Sequence, residues 1–236
     1  LTIRDLGIHG EGIGAVDDFT VFVPGALPGE TIQAMIVTAK KSYATGRLIS
    51  IETASLHRTT PACPVCHTCG GCQISHLTYE GQLAVKERRV KDVMVRIGGC
   101  EESLVRPIIG AQHPWNYRNK MAVPVSQVTS GPVLGYYRQG SHQVIPIASC
   151  AIQEEENNRL LRFAQGFMTR HQLTGYNEKT GRGSIRHIMG RVGDHGEVMA
   201  VIVTASGKLP LADLWVSEMR KLLPEVVSIY HNVQSH

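Results

Sequence analysis

Residues 63–72 read CPVCHTCGGC, so four of the six cysteines fall at every third position, with Gly70 and Gly71 between the last two. Packing of an apolar core does not call for thiols at this density; a disulfide framework or a metal centre does. Disulfide frameworks belong to small, cysteine-dense secreted chains. Six cysteines in 236 residues, with no charged, apolar, small-residue leader, predict a reducing compartment instead. There, crowded thiolates repel one another unless a cation neutralises them. A zinc tetrahedron is usually closed from two well-separated Cys-x-x-Cys pairs, and this run is too compressed for that. An iron–sulfur cluster is larger. Its corners lie within reach of short consecutive steps of one loop plus a thiolate from elsewhere, and the spacing matches it better. Gly70 and Gly71 would let the backbone approach the inorganic sulfides and donate N–H groups to them. Spacing leaves open which four of Cys63, Cys66, Cys69, Cys72, Cys100 and Cys150 ligate. Cys100 reads as a buried apolar thiol. Cys150 closes HQVIPIASC, where a strand gives way to a helix, and a ligand there would staple the cysteine loop to the larger domain.

Around this loop the hydrophobic pattern changes period. Residues 1 to about 55 read as short β-segments (LTIRDLGI, FTVFV, TIQAMIVTA, GRLISIE) punctuated by Gly10, Gly12, Gly14 and the turn PGALPGE. So many short strands predict a small barrel, closed on itself as oligonucleotide-binding barrels are. After the cysteines a helix is expected over about 77–97. Tyr79, Leu83, Val90, Met94 and Ile97 form its packing stripe, and Arg88, Arg89 and Arg96 point away. From Tyr117 onward, β-like segments alternate with two helices. The first, about 152–171, opens on Glu154, Glu155 and Glu156, where the helix dipole favours negative charge. The second opens at Pro210 and stops before Pro224, with Leu211, Leu214, Trp215, Met219 and Leu222 on one face. The strands mostly connect through hairpins, which predicts an α+β domain. VVSIYHNVQSH reads as a strand laid down toward something further on, as though the chain were part of a longer one. With 42% apolar residues the chain can bury real cores, and its net charge of +4 favours a polyanionic partner only where the cations cluster. The longest apolar runs are too short to cross a bilayer, and a cytoplasmic protein is expected.

The order of these segments resembles the iron–sulfur class of RNA uracil-5-methyltransferases, which methylate C5 of uridine in 23S ribosomal RNA. DLGIHGEGIGAVDDFTVFVPGALPGE resembles their TRAM domain, a small RNA-binding barrel. SLHRTTPACPVCHTCGGCQISHLTYEGQLAVK resembles their cluster loop, with its CGGC element and a distant fourth cysteine. WNYRNKMAVPV, LGYYRQGSHQVIPIASC and GSIRHIMGRV resemble their central domain. The resemblance implies a TRAM/OB-like all-β barrel over 1–56, an iron–sulfur loop and helix over 57–100, and a mixed α/β central domain over 101–236. It also implies Cys63, Cys69, Cys72 and Cys150 as ligands of a 4Fe-4S cluster, with Cys66 a bystander. The cluster is expected to be structural, with an oxidation-sensitive role as its rival.

Members of that family continue into a Rossmann-like domain that binds S-adenosylmethionine and carries a catalytic cysteine and a general base. The glycine motifs here do not sit between a strand and a helix in the way that cofactor needs, so this chain is expected to be inactive alone. Its expected task is to grip RNA as a monomer. Lys40, Lys41, Arg47, Arg58, Arg88, Arg89, Arg118, Lys120 and Arg186 are the candidate phosphate contacts, and Tyr43, Tyr117, Tyr136 and Tyr137 the candidate base-stacking rings. Two alternatives stay open: a non-catalytic zinc-binding RNA module that pairs CPVC with CGGC, and a tRNA uracil-5-methyltransferase. A radical methylthiolating enzyme also combines a TRAM barrel with a cluster, but those enzymes usually place the barrel last.

Overall fold

The computed structural model describes residues 1–235, so His236, the last residue of the expected terminal strand, lies outside the described residues. The backbone divides into two compact units. The first comprises residues 1–62 and 72–112; the second comprises residues 63–71 and the chain from 113 onward.

In the first unit, β1 (Ile3–Leu6), β2 (Glu11–Val16), β3 (Phe19–Pro24), β4 (Thr31–Ala39) and β5 (Tyr43–Thr53) form one sheet in the order β1-β2-β3-β5-β4. Neighbours pair antiparallel except β3 and β5, which run parallel. Alternation along β3 buries Val21 and Val23, and these close a small core with Ile3, Ala26, Ile32 and Ala44. The β2–β3 hairpin turns on Asp17 and Asp18, both left-handed at φ 46° and 64°, which is the two-residue turn whose twist matches the flanking strands. Gly12 and Gly14 lie inside β2 rather than in turns. A Cβ at Gly12 would stand 2.8 Å from the Ala26 carbonyl oxygen, so glycine lets the loop after β3 lie directly on the strand.

The expected closed barrel is not formed. β1 and β4 are the sheet's two edges, and they meet only through an isolated bridge between Thr2 and Thr31 and a few backbone hydrogen bonds, such as Ile3 N–H to the Glu30 carbonyl at 2.8 Å. β1 has four residues and an irregular register between Ile3 and Asp5, too little regular edge to carry a closing ladder. Helix α1 (Tyr79–Arg96) is capped by the Thr78 hydroxyl, which accepts from Gly81 N–H at 3.2 Å. Its expected packing stripe splits in two. Tyr79 is held by the Ala111 N–H at 2.6 Å and Leu83 is half-buried, whereas Val90, Met94 and Ile97 are 52%, 39% and 82% exposed. The segment around Gly110 and Ala111 lies against the first turn of α1, whereas the later turns are met through polar contacts, Arg89 with the Ile8 carbonyl and Lys91 with Glu102, which leave the apolar side chains there uncovered.

The second unit holds β6 (Lys120–Val128), β7 (Gly131–Tyr137), β8 (Val144–Pro146), β9 (Ile185–Val192), β10 (Val198–Thr204) and β11 (Val226–Val233), ordered β11-β10-β9-β6-β7-β8. All pairs are antiparallel except β10–β11, which α3 (Ala212–Leu222) connects as a parallel crossover. The hairpin-dominated α+β reading therefore holds, with one helical crossover at its end. The inner stripe of α2 (Glu155–Arg170) supplies Leu160, Leu161, Ala164, Phe167 and Met168 to the core, and α3 adds Trp215 and Met219. Leu211 and Leu222, expected on the same face of α3, are 46% and 51% exposed. Leu211 precedes the helix in a left-handed conformation at φ 57°, which takes it off the stripe. α2 starts three residues later than expected, because 152–154 are tied instead to Arg118. Among the described residues no helix is long and apolar enough to cross a membrane.

Gly135 sits where β7 meets β8, and a Cβ there would stand 1.8 Å from the Ile145 carbonyl oxygen. Gly135→Ala should therefore cost about 1–3 kcal/mol of unfolding free energy through forced backbone displacement. Denaturant unfolding checks this, and an unchanged midpoint would show that β8 is loosely held.

Candidate RNA-binding and thiol site

The loop from Cys63 to Gly71 is shaped by its own backbone and then by β7. Cys66 N–H donates to the Cys63 carbonyl at 3.3 Å, and Thr68 and Cys69 N–H both donate to the Val65 carbonyl, at 3.0 and 2.8 Å. Cys69 then forms a bridge with Arg138, and Gly70 N–H donates to the Tyr137 carbonyl at 2.9 Å. Cys69 is thus fixed against the end of β7. Gly71 N–H points back at the Cys69 sulfur, 3.4 Å away, whereas the Gly70 N–H, expected to face a cluster, is taken by the Tyr137 carbonyl.

Cys150 occupies the turn between β8 and α2 and is held from both sides. Its N–H donates to Asn158 Oδ1 at 2.8 Å, and Asn158 Nδ2 donates back to its carbonyl at 3.2 Å. Beneath it lies a buried amide network. Gln153 Nε2 donates to Asn158 Oδ1 at 3.3 Å, its Oε1 accepts the Tyr136 hydroxyl at 2.5 Å, and its carbonyl accepts from Asn116 Nδ2 at 2.7 Å. Gln153 and Asn158 are at most 2% exposed. Polar side chains this deep are stable only when bonded, and these bonds fix the geometry of the turn carrying Cys150.

The two thiol-bearing segments share one electrostatic environment. Burial pushes the Cys69 thiol up, the Gly71 N–H pulls it down, Cys63 and Cys150 raise it further, and Arg118 lowers it. The Tyr136 hydroxyl is pushed up to about 12, mainly by burial and then by Cys150. Cys63, Cys150 and the Arg118 cation each lie within electrostatic reach of Cys69. Cys72 follows Gly71 in the chain and belongs to the first unit. Among the described residues no group of three or more His, Cys, Asp or Glu side chains is arranged to hold a metal ion. Cys100, expected to be buried, is half-exposed, with its sulfur 3.7 Å from the Gly98 carbonyl oxygen.

The candidate phosphate contacts fare unequally. Lys40 and Lys41 are exposed at the β4–β5 turn and Arg47 is exposed on β5. Arg88 is 61% exposed but lies 3.8 Å from both Asp5 and Asp92, and Arg89 reaches the Ile8 carbonyl. Lys120 is exposed at the start of β6. Arg58 is committed elsewhere. Its Nε and terminal nitrogen bind the two carboxylate oxygens of fully buried Glu30 at 2.5 and 2.8 Å, and the Gly25 carbonyl takes a third bond at 2.7 Å. It is a structural cation. Of the rings, Tyr117 is 60% exposed, Tyr43 packs edge-on against Phe22, and Tyr136 is occupied by Gln153. Tyr137 and Arg186 line a cavity of about 490 Å³, where the Arg186 guanidinium lies 3.9 Å above the Tyr176 ring. Tyr176, His142 and His187 of this cavity carry no motif that sequence reasoning picks out, and it also misses the amides around Cys150. The amides have one signal: an Asn157–Asn158 pair on the face of α2 that continues as Leu160, Leu161 and Ala164.

Residues 1–49 match the TRAM domain family. The full chain is 43% identical over 236 residues to an uncharacterized RNA methyltransferase of Bacillus cereus, covering 100% of this chain and 52% of the relative. It is 40% identical over 234 residues to one of Halalkalibacterium halodurans, covering 99% and 51%. The crystal structure of a Pyrococcus abyssi tRNA (uracil-54, C5)-methyltransferase in complex with S-adenosyl-L-homocysteine superposes with a TM-score of 0.74 at 22% identity. That match covers 99% of this chain and 51% of the other, and at that identity it speaks for the fold. The chain spans about half the length of the curated relatives it matches. Its N-terminus is a TRAM domain, and its whole length is homologous to part of RNA methyltransferases.

Proposed function

We propose that this chain is the RNA-gripping portion of an S-adenosylmethionine-dependent uracil-C5 methyltransferase acting on 23S ribosomal RNA in the cytoplasm. We further propose that Cys63, Cys69, Cys72 and Cys150 hold a 4Fe-4S cluster. What supports the cluster is the chemistry of the donors, thiols on a loop fixed against β7 and on the hydrogen-bonded turn before α2, with the Gly71 N–H aimed at the Cys69 sulfur; among the described residues they are not drawn together as a metal site. The donor set has the right chemistry: thiols from two chain segments, the N–H of Gly71 aimed at sulfur, and Arg118 to offset negative charge. The cluster's contribution is metal–thiolate bonds that cross-link segments distant in sequence.

The homologous RNA methyltransferases support the reaction class. S-adenosylmethionine itself does not fit the residues of this chain. The turn that joins β10 to α3, ASGKLPL over 205–211, has Gly207 as its single glycine, whereas a Rossmann-like cofactor turn brings several glycines between strand and helix. Four of the six cysteines would be committed to iron, and without a fitting S-adenosylmethionine turn this chain alone should bind RNA without methylating it. The complete polypeptide containing it, given methyl-labelled S-adenosylmethionine, should place 5-methyluridine in unmodified 23S ribosomal RNA. Label in tRNA alone would move the substrate to the tRNA reading, and label in neither would overturn the enzyme assignment.

Cys69→Ser should abolish iron binding and lower the thermal stability of the second unit, where Cys69 anchors the loop to β7. A colourless Cys69→Ser protein as stable as the wild type would refute a structural role for the cluster.

A further inference from the structure

A second site lies on the sheet of the second unit, between the end of β7, the loop after it, the 176–187 hairpin and the outer end of β6. Its cavity of about 490 Å³ is in the range of small-ligand pockets. The walls are of a distinctive kind. The Arg186 guanidinium carbon lies over the Tyr176 ring, 3.9 Å from its centroid, and the buried Nε has no hydrogen-bond partner among the described residues. Tyr137 and His142 face each other with ring centroids 5.3 Å apart, and Lys179 stands at the rim.

The wall is also preformed. Asn177 Oδ1 accepts from the N–H groups of Lys179 and Thr180 at 3.0 and 3.1 Å, and Asn177 N–H donates to the Arg182 carbonyl at 2.7 Å, which fixes the hairpin tip. His142 Nδ1 lies 3.0 Å from Glu178, so the one carboxylate at the rim is already partnered. Burial, with Arg186 beside it, holds His187 below the usual imidazole range. A neutral imidazole offers one donor and one acceptor, as the edge of a nucleobase requires.

We propose that this cavity takes one unpaired nucleotide of the bound RNA, other than the uridine to be methylated. The base inserts against the Arg186–Tyr176 layer and Tyr137, and the phosphate stays at the rim near Lys179. This rests on the RNA-gripping function proposed for the chain. Flat aromatic and guanidinium surfaces suit a nucleobase, and a base inside a duplex cannot enter a cavity without leaving its stack. The site therefore selects single-stranded or looped RNA.

The test measures fluorescence anisotropy of the whole chain with a single-stranded RNA of about ten nucleotides and with a duplex of the same sequence. Tyr176→Ala should weaken binding of the single strand roughly tenfold, and that of the duplex by no more than about twofold. Tyr176→Phe should bind as the wild type does. Cross-linking of a 4-thiouridine-substituted strand to the wild-type chain needs no variant and should mark peptides containing Tyr176 or Tyr137. Equal losses on both RNAs, no loss on either, or cross-links confined to other peptides would overturn the pocket alone. A wild-type chain that binds neither RNA would overturn the RNA reading and the pocket with it.

Discussion

Replacing Arg58 by methionine is expected to destabilise the first unit by about 3–5 kcal/mol, because it strands a charge in a place that water does not reach. Glu30 is fully buried, and its carboxylate takes two bonds from Arg58, one from Leu27 N–H at 2.8 Å and one from Ser55 N–H at 3.3 Å. Burial alone would raise its pKa. The Arg58, Leu27 and Ser55 hydrogen bonds outweigh that and hold the carboxyl below its usual value. A carboxyl whose folded pKa is lowered stabilises the fold fully above its unfolded value, about 4.3, and loses that contribution as pH falls through the folded value. The wild type should therefore soften below about pH 4, whereas the Arg58→Met variant should already be weak at pH 7. Joint replacement, Glu30→Leu with Arg58→Met, should recover much of the loss by removing the orphaned charge. Urea unfolding of the three proteins at pH 7, repeated for the wild type down to about pH 3, measures these effects. A stable Arg58→Met protein with weakened RNA binding would make Arg58 the phosphate contact that its sequence position suggests.

Trp215→Ala is expected to cost about 3–5 kcal/mol in the second unit, as the loss of a large core aromatic does. Trp215 is fully buried on α3, with its ring centroid 4.0 Å from that of Phe167 and 6.0 Å from that of Phe163, both on α2. Its indole N–H is buried without a hydrogen-bond partner among the described residues, so only the apolar body of the ring contributes. Trp215→Phe should accordingly retain most of the stability. Since α2 also carries Asn158, which grips the turn of Cys150, loosening the α2–α3 contact should reach the thiol site. A Trp215→Ala chain of native midpoint would mean that α3 adds little to the fold.

Period and punctuation make most elements legible. Alternation marks Val21 and Val23 of β3, and the apolar stripe marks Leu160, Leu161, Ala164 and Phe167 of α2. The pattern misleads where a second element decides the outcome. The apolar stripe of α1 is real in sequence, but apolar packing reaches only its first turns, and the contacts further along are polar, leaving Val90 and Ile97 exposed. Arg58 resembles a surface cation because its partner Glu30 is 28 residues away in the chain. The Cys150 turn shows its cysteine but not its supports, since Gln153 and Asn158 read as ordinary helix-start polar residues until burial distinguishes them. The Tyr176–Arg186 pair joins positions ten apart across a hairpin whose turn is set by Asn177, a pairing that only register reveals.

Iron and acid-labile sulfide analysis of the chain purified without oxygen, read together with its visible absorption, bears most directly on the thiol site. Ligation by Cys63, Cys69, Cys72 and Cys150 predicts about four iron and four sulfide per chain and a brown protein that Cys69→Ser or Cys150→Ser bleaches. A colourless chain free of iron, or one carrying a single equivalent of zinc on the same cysteines, would contradict it.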